Sequence, residues 1–203
     1  MTAYDLPDWA GLALALADGG FRNRLDALLR LHHHLSRVVL SSKEPALIQM
    51  RLAWWREELR KPSDVGQADP LLGALKKEWS GDVAKVVAIV DAWEGLLADR
   101  PWPDTVIEAL GLAYGNAFAS MAGTKEADAA RTHGRCWASA ELRLAGYENA
   151  LGQLPRLPKL SRNLRSLALI GGLSRRALSR PEMALLGDRL SPLAAMRLGI
   201  FGR

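Results

Sequence analysis

Thiol chemistry is nearly missing from this chain: Cys136 is the one cysteine in 203 residues, which excludes an internal disulfide and any paired-cysteine metal or redox motif. Its apolar neighbour Trp137 favours a packed, inert thiol over a nucleophile. The opening Met1-Thr2-Ala3-Tyr4-Asp5 carries acid where a signal peptide carries positive charge, so export is not expected. Long apolar runs are lacking too. The longest uncharged stretch, Ala109 to Thr124, is rich in Ala, Gly, Ser and Asn and falls short of the ~20 apolar residues of a spanning helix. Glycine and proline form no tract and no repeat recurs, which argues against linkers and solenoids. Alternating β-type runs flanking an Asn-Gly or Asp-Gly turn are absent as well, which leaves sheets no place.

What is present is helical. Hydrophobic residues make up 49% of the chain, enough for one continuous core, and they recur at helical spacing almost throughout. The expectation is a single all-α domain over residues 1–203, an antiparallel helical bundle. Helices are predicted near residues 8–17, 22–41, 45–61, 69–79, 82–99, 104–122, 127–151 and 160–179, with a weaker helical tail after Pro181. Pro45 suits a first turn, Lys61-Pro62-Ser63 a stop, and Ser80-Gly81-Asp82 a capped restart. Short connections between long amphipathic helices imply antiparallel neighbours.

Charge is divided unevenly. Residues 1–130 hold 14 Lys/Arg against 18 Asp/Glu, and residues 131–203 hold 13 against 4, net −4 and +9. The basic 131–203 region can attract lipid headgroups, diphosphates or nucleic acid, or it can be a plain solubilising surface. Leu160 to Arg180 mixes Leu and Arg in a loosely amphipathic way, so peripheral contact with an anionic membrane is one reading and a packing helix with a solvated cationic face is the other. The expected setting is the cytoplasm, with attachment at the inner membrane face as the peripheral option.

Two segments could carry chemistry. In Gln49 to Leu59, a helical wheel puts Ile48, Leu52, Trp55 and Leu59 on one stripe, with Arg51 and Glu58 along a flank and Trp54 beyond them. An Arg and a carboxylate at a core margin read as a structural ion pair or a ligand contact; Trp54 and Trp55 read as packing or as the wall of an apolar pocket. In the helix from Val83 to Leu97, Glu94 falls on the stripe of Val83, Val87, Val90 and Leu97, with Asp91 at its edge. Either Glu94 faces the core and needs a partner such as Arg51 or Arg56, or that face is solvated. His32-His33-His34 cannot converge on one ion, because successive helical residues point about 100° apart, and His133 reads as a packing residue. No metal site is expected.

The string Arg51-Leu52-Ala53-Trp54-Trp55-Arg56-Glu57-Glu58-Leu59, preceded by Leu35-Ser36-Arg37-Val38-Val39 and Glu44-Pro45, resembles the early helices of the squalene/phytoene synthase family. Asp91, Leu97 and Asp99-Arg100-Pro101, then Tyr114-Gly115 and Met121-Ala122-Gly123, then Gly134 to Arg143, Tyr147 and Leu154-Pro155-Arg156-Leu157-Pro158 follow in the family's order. The resemblance covers about residues 10–180 and implies an isoprenoid synthase fold, reduced in length. It also implies two aspartate-rich motifs that bind magnesium and prenyl diphosphates. The first would fall near His34 to Ser42 and the second near Arg143, where Leu144-Ala145-Gly146 stands; neither place offers the acids.

A catalytically degenerate member, a pseudoenzyme, is therefore expected, without cofactor, binding a prenyl diphosphate or other lipid, or a protein partner. An accessory role such as respiratory-complex assembly is implied by the family alone. Arg51, Trp54, Trp55, Glu58, Asp91, Glu94 and Tyr114 are the candidate pocket residues. The alternative is an active magnesium-dependent prenyltransferase of isoprenoid biosynthesis with unusual ligands among Glu57, Glu58, Asp91 and Glu94. A nucleic-acid-binding reading rests only on Arg162, Arg165, Arg175, Arg176 and Arg180.

Overall fold

The computed structural model describes residues 6–41, 44–62, 69–146, 156–180 and 185. They form α1 (Asp8–Ala15), α2 (Gly19–Ser41), α3 (Pro45–Arg60), α4 (Pro70–Glu78), α5 (Val83–Gly95), α6 (Asp104–Ala122), α7 (Ala127–Leu144), a 3-10 turn (Arg162–Leu164) and α8 (Arg165–Ser179). No strand occurs among the described residues, so the all-α class is observed.

Local chemistry explains the boundaries. Pro45 and Pro70 open α3 and α4, where a fixed φ is pre-organised and a missing N–H costs nothing. Asp69 caps α4, its carboxylate accepting from the Leu71 and Leu72 amides at 2.8 and 3.2 Å. Gly123 and Gly146, with φ of 75° and 92°, end α6 and α7 in a conformation that side-chain-bearing residues disfavour. Several predicted helices are shortened. α5 stops at Gly95 rather than near 99, because the Trp102 indole donates to the Leu96 carbonyl at 3.0 Å and draws the chain aside. α8 begins at Arg165, after the 3-10 turn, rather than at 160. α7 ends at Leu144 and a capping turn through Gly146; residues 147–151 and the predicted tail after Pro181, apart from Leu185, lie outside the described residues.

The helical wheel of α3 is reproduced, with Ile48, Leu52, Trp55 and Leu59 buried. The most extensive pairing is α6 with α7; α8 packs on the other side of α7, α1 on α8, α5 on α6, α3 on α5 and α4 on α2. Backbone contact sets the first of these. A Cβ added at Gly134 would lie 2.5 Å from the Tyr114 carbonyl oxygen, and one at Gly115 would lie 2.9 Å from Arg131 Cγ. Three residues on from Gly134, the fully buried Trp137 meets His32, Tyr114, Phe118 and Trp9 at ring-centroid distances of 4.5, 4.8, 5.6 and 5.9 Å. One side chain thus joins α7 to α2, α6 and α1.

The α7–α8 seam absorbs part of the basic third. Arg143 donates to the carbonyls of Ala177 and Arg180 at 2.6 and 3.1 Å, adding a second donor to the Ala177 oxygen that the Arg180 amide already engages at the end of α8. His133 packs under Gly171, and Cys136 is buried with Sγ 3.7 Å from the Gly171 carbonyl. Burial pushes that thiol up to about 12, against the pull of Arg175, which makes it inert near neutrality. Among the described residues no helix is long and apolar enough to cross a membrane.

Gly134→Ala tests the α6–α7 contact. The substitution gains up to about 1 kcal/mol of helix propensity, but overpacking against backbone that cannot swing away costs about 3 kcal/mol. The variant is expected to unfold at markedly lower urea concentration. Gly11→Ala, with nothing within 4 Å of its added Cβ, should be neutral or slightly stabilising in the same titration.

Candidate functional site

Helical spacing sends the three consecutive histidines of α2 to three places. His32 is buried in the core at 5% exposure. His33 faces a cavity beside α1. His34 accepts a hydrogen bond at Nε2 from the Trp55 indole of α3 at 3.0 Å.

His32 sits at the centre of a buried polar chain. An indole N–H can only donate, so Trp93 Nε1 donates to Tyr114 Oη at 2.8 Å. The Tyr114 proton is then directed at His32 Nδ1, also 2.8 Å away. That leaves the His32 ring proton on Nε2, facing Glu141 Oε2 at 3.4 Å. The other oxygen, Glu141 Oε1, accepts from Trp137 Nε1 at 3.0 Å. Every member has a partner, as burial demands. Burial works against ionisation of Glu141, yet the nearby His32 ring and the hydrogen bond from Trp137 hold its carboxyl below the ordinary carboxylate range. Burial pushes the Tyr114 hydroxyl far above its ordinary value, only partly offset by the Trp93 bond, so it stays protonated.

Two members of this chain, His32 and Glu141, form the floor of a cavity of about 470 Å³ between α1, α2 and α7. Leu6, Pro7, Trp9, Ala10, Leu29, Leu144 and Leu185 supply apolar wall, and His32, His33, Ser36, Glu141 and Asp8 supply the polar groups. The size and the ratio of apolar wall to a few convergent polar atoms are those of a small-molecule pocket.

The residues nominated from sequence fall elsewhere, in three groups. Arg51, Trp54 and Trp55 line a second groove of about 480 Å³ with His34, Leu47, Met50 and Asp69. Trp54 is 43% exposed and Leu47 and Met50 more so, whereas Trp55 is core. Asp91 and Glu94 both pair with Arg56, which straps α3 to α5. Partial burial disfavours the Arg56 charge, but the two carboxylates more than compensate and raise its pKa. Glu94 is thus neither core-centred nor solvated: a third of its side chain is exposed, and Arg56 is the partner it requires. Glu58 pairs with Lys61 at the end of α3. Tyr114 belongs to the buried chain around His32 and takes no part in the Trp54–Trp55 groove.

Glu141, His32, Trp93 and Trp137 were not singled out as a site by sequence. A signal existed for Glu141, which falls four residues after Trp137 on the buried stripe of α7, the same anomaly that drew notice to Glu94. Hard magnesium requires several oxygen ligands. Among the described residues no three His, Cys, Asp or Glu side chains are grouped so as to hold a metal ion. Comparison of the chain with protein-family models, curated proteins and solved structures finds no significant match.

Tyr114→Phe removes one oxygen and strands two buried groups, Trp93 Nε1 and His32 Nδ1. The expected loss is about 1–3 kcal/mol in urea unfolding, with an unchanged m-value if the fold is retained.

A second expectation concerns acid. Burial is the leading cause that holds His34 and His133 below the ordinary histidine value of 6.5. The unfolded chain therefore takes up these protons first. Stability is full above about pH 6.5 and falls as pH drops through and below that value. Thermal midpoints should decline between about pH 7 and about pH 5, and His34→Gln with His133→Gln should flatten that decline.

Proposed function

We propose that the chain is a squalene/phytoene synthase-like scaffold that has given up metal-dependent condensation and holds an apolar ligand, a prenyl compound or another lipid. The observation that carries this reading is the cavity between α1, α2 and α7, with its apolar walls and its His32–Glu141 floor. It opens between the two helices to which the resemblance assigns the acidic motifs, and Ser36 and Leu144 are what line it there. The alternative, an active prenyltransferase using Glu58 and Glu94, is less favoured, since Lys61 and Arg56 already engage those carboxylates. An accessory role of the assembly type agrees with the same reading, because such a role requires a bound lipid or a partner but no turnover.

Purified protein incubated with farnesyl diphosphate and magnesium should yield no condensation product. Organic extraction of the protein as purified should release an apolar small molecule detectable by mass spectrometry. Leu144→Trp, at the exposed rim, should reduce that occupancy while leaving the circular dichroism unchanged. Robust product formation would overturn the non-catalytic reading, and an empty, non-binding protein would overturn the pocket.

A further inference from the structure

The polar groups of the cavity have a definite sign. Its two ionisable acids are Glu141 on the floor and Asp8 in the first turn of α1, and no Arg or Lys lines it among the described residues. Glu141 is most of the way out of solvent, with 18% of its side chain exposed. Its Oε1 is occupied by Trp137, but Oε2 meets His32 only at 3.4 Å, longer than a good N–H···O bond. A carboxylate oxygen has two lone pairs, so Oε2 retains accepting capacity toward the cavity. His33 and Ser36 stand at the same end, and Trp9 contributes an aromatic wall.

A diphosphate placed here would meet the carboxylates of Glu141 and Asp8 and, among the described residues, no Arg or Lys, only the imidazoles of His32 and His33; in a partly desolvated space like charges repel strongly. A group that donates hydrogen bonds meets the opposite situation. It can complete the coordination of Oε2 without displacing His32 or Trp137, and a positively charged head gains Coulomb attraction as well. From this arrangement we infer that the cavity selects an apolar chain ending in a hydrogen-bond-donating head, an alcohol or a protonated amine, and rejects the diphosphate ester of the same chain. The inference rests on the cavity being a ligand site, as proposed above, and adds the polarity of the head that Glu141 reads.

The test is isothermal titration of the full-length protein with three ligands of one chain, farnesol, farnesylamine and farnesyl diphosphate, the last with and without magnesium. The expected result is binding of the alcohol or the amine at least about tenfold tighter than the diphosphate, a difference of about 1.4 kcal/mol. The amine ahead of the alcohol assigns the selection to the charge of Glu141; equal binding of the two assigns it to hydrogen bonding. In Glu141→Gln, which keeps an acceptor oxygen but removes the charge, an amine preference should shrink toward the alcohol value. The comparison among ligands on the unaltered protein does not depend on that variant folding. Equal binding of all three, or tighter binding of the diphosphate with or without magnesium, would overturn the inference and leave the pocket standing. Binding of none would overturn both.

Discussion

The close approach of α6 and α7 at Gly134 is the constraint on which the remaining structure depends. With no Cβ at that position, the α7 backbone rests against the Tyr114 carbonyl, and the two helices come near enough for Trp137 and Tyr114 to share one buried space. A side chain there would push the axes apart. Trp137 would then lose its aromatic neighbours on α1, α2 and α6, and Tyr114 would no longer reach both Trp93 and His32. Packing and polar satisfaction are therefore solved together: the glycine contact sets a distance, and the distance allows five polar side chains to partner one another largely out of water.

From that arrangement the cavity follows. Glu141 accepts from Trp137 at one oxygen, stands beside His32 at the other, and lines the cavity with residues of α1. α1 supplies Trp9, whose ring stands edge-on to Trp137, and Asp8 at its first turn. The wall and the floor of the cavity are built on one aromatic cluster, which makes the geometry of the polar end a property of the core rather than of a surface loop.

Much of the architecture was legible in the sequence because it is written in local terms. Apolar residues at 3.6-residue spacing and Pro45 at a first turn mark helices whatever they pack against. The buried stripe of α3 was readable for the same reason. Partner choice was not. The wheel of α5 could say that Glu94 needed a cation, but only the crossing of α3 over α5 decides that Arg56 reaches it and Arg51 does not. Tyr114 was read as pocket-lining beside Trp54; it is a core residue instead, since α6 turns that face toward α7 and α2. Glu141 carried a signal in its place on the buried stripe of α7, but its partner His32 comes from α2, which no local pattern of α7 reveals.

The seven tryptophans are placed unequally, and this gives the molecule two separate optical windows. Trp9, Trp55, Trp79, Trp93, Trp102 and Trp137 are all buried, and Trp54 alone is substantially exposed. An aqueous quencher such as iodide thus addresses α3 and little else. Trp9, although buried, lies in the wall of the α1–α2–α7 cavity, where an occupant alters the polarity around its ring. Emission that a dissolved quencher cannot reach belongs to the interior, and within it the part that responds to a bound molecule belongs to Trp9, so events at the two faces of α2 can be followed separately in one unlabelled protein.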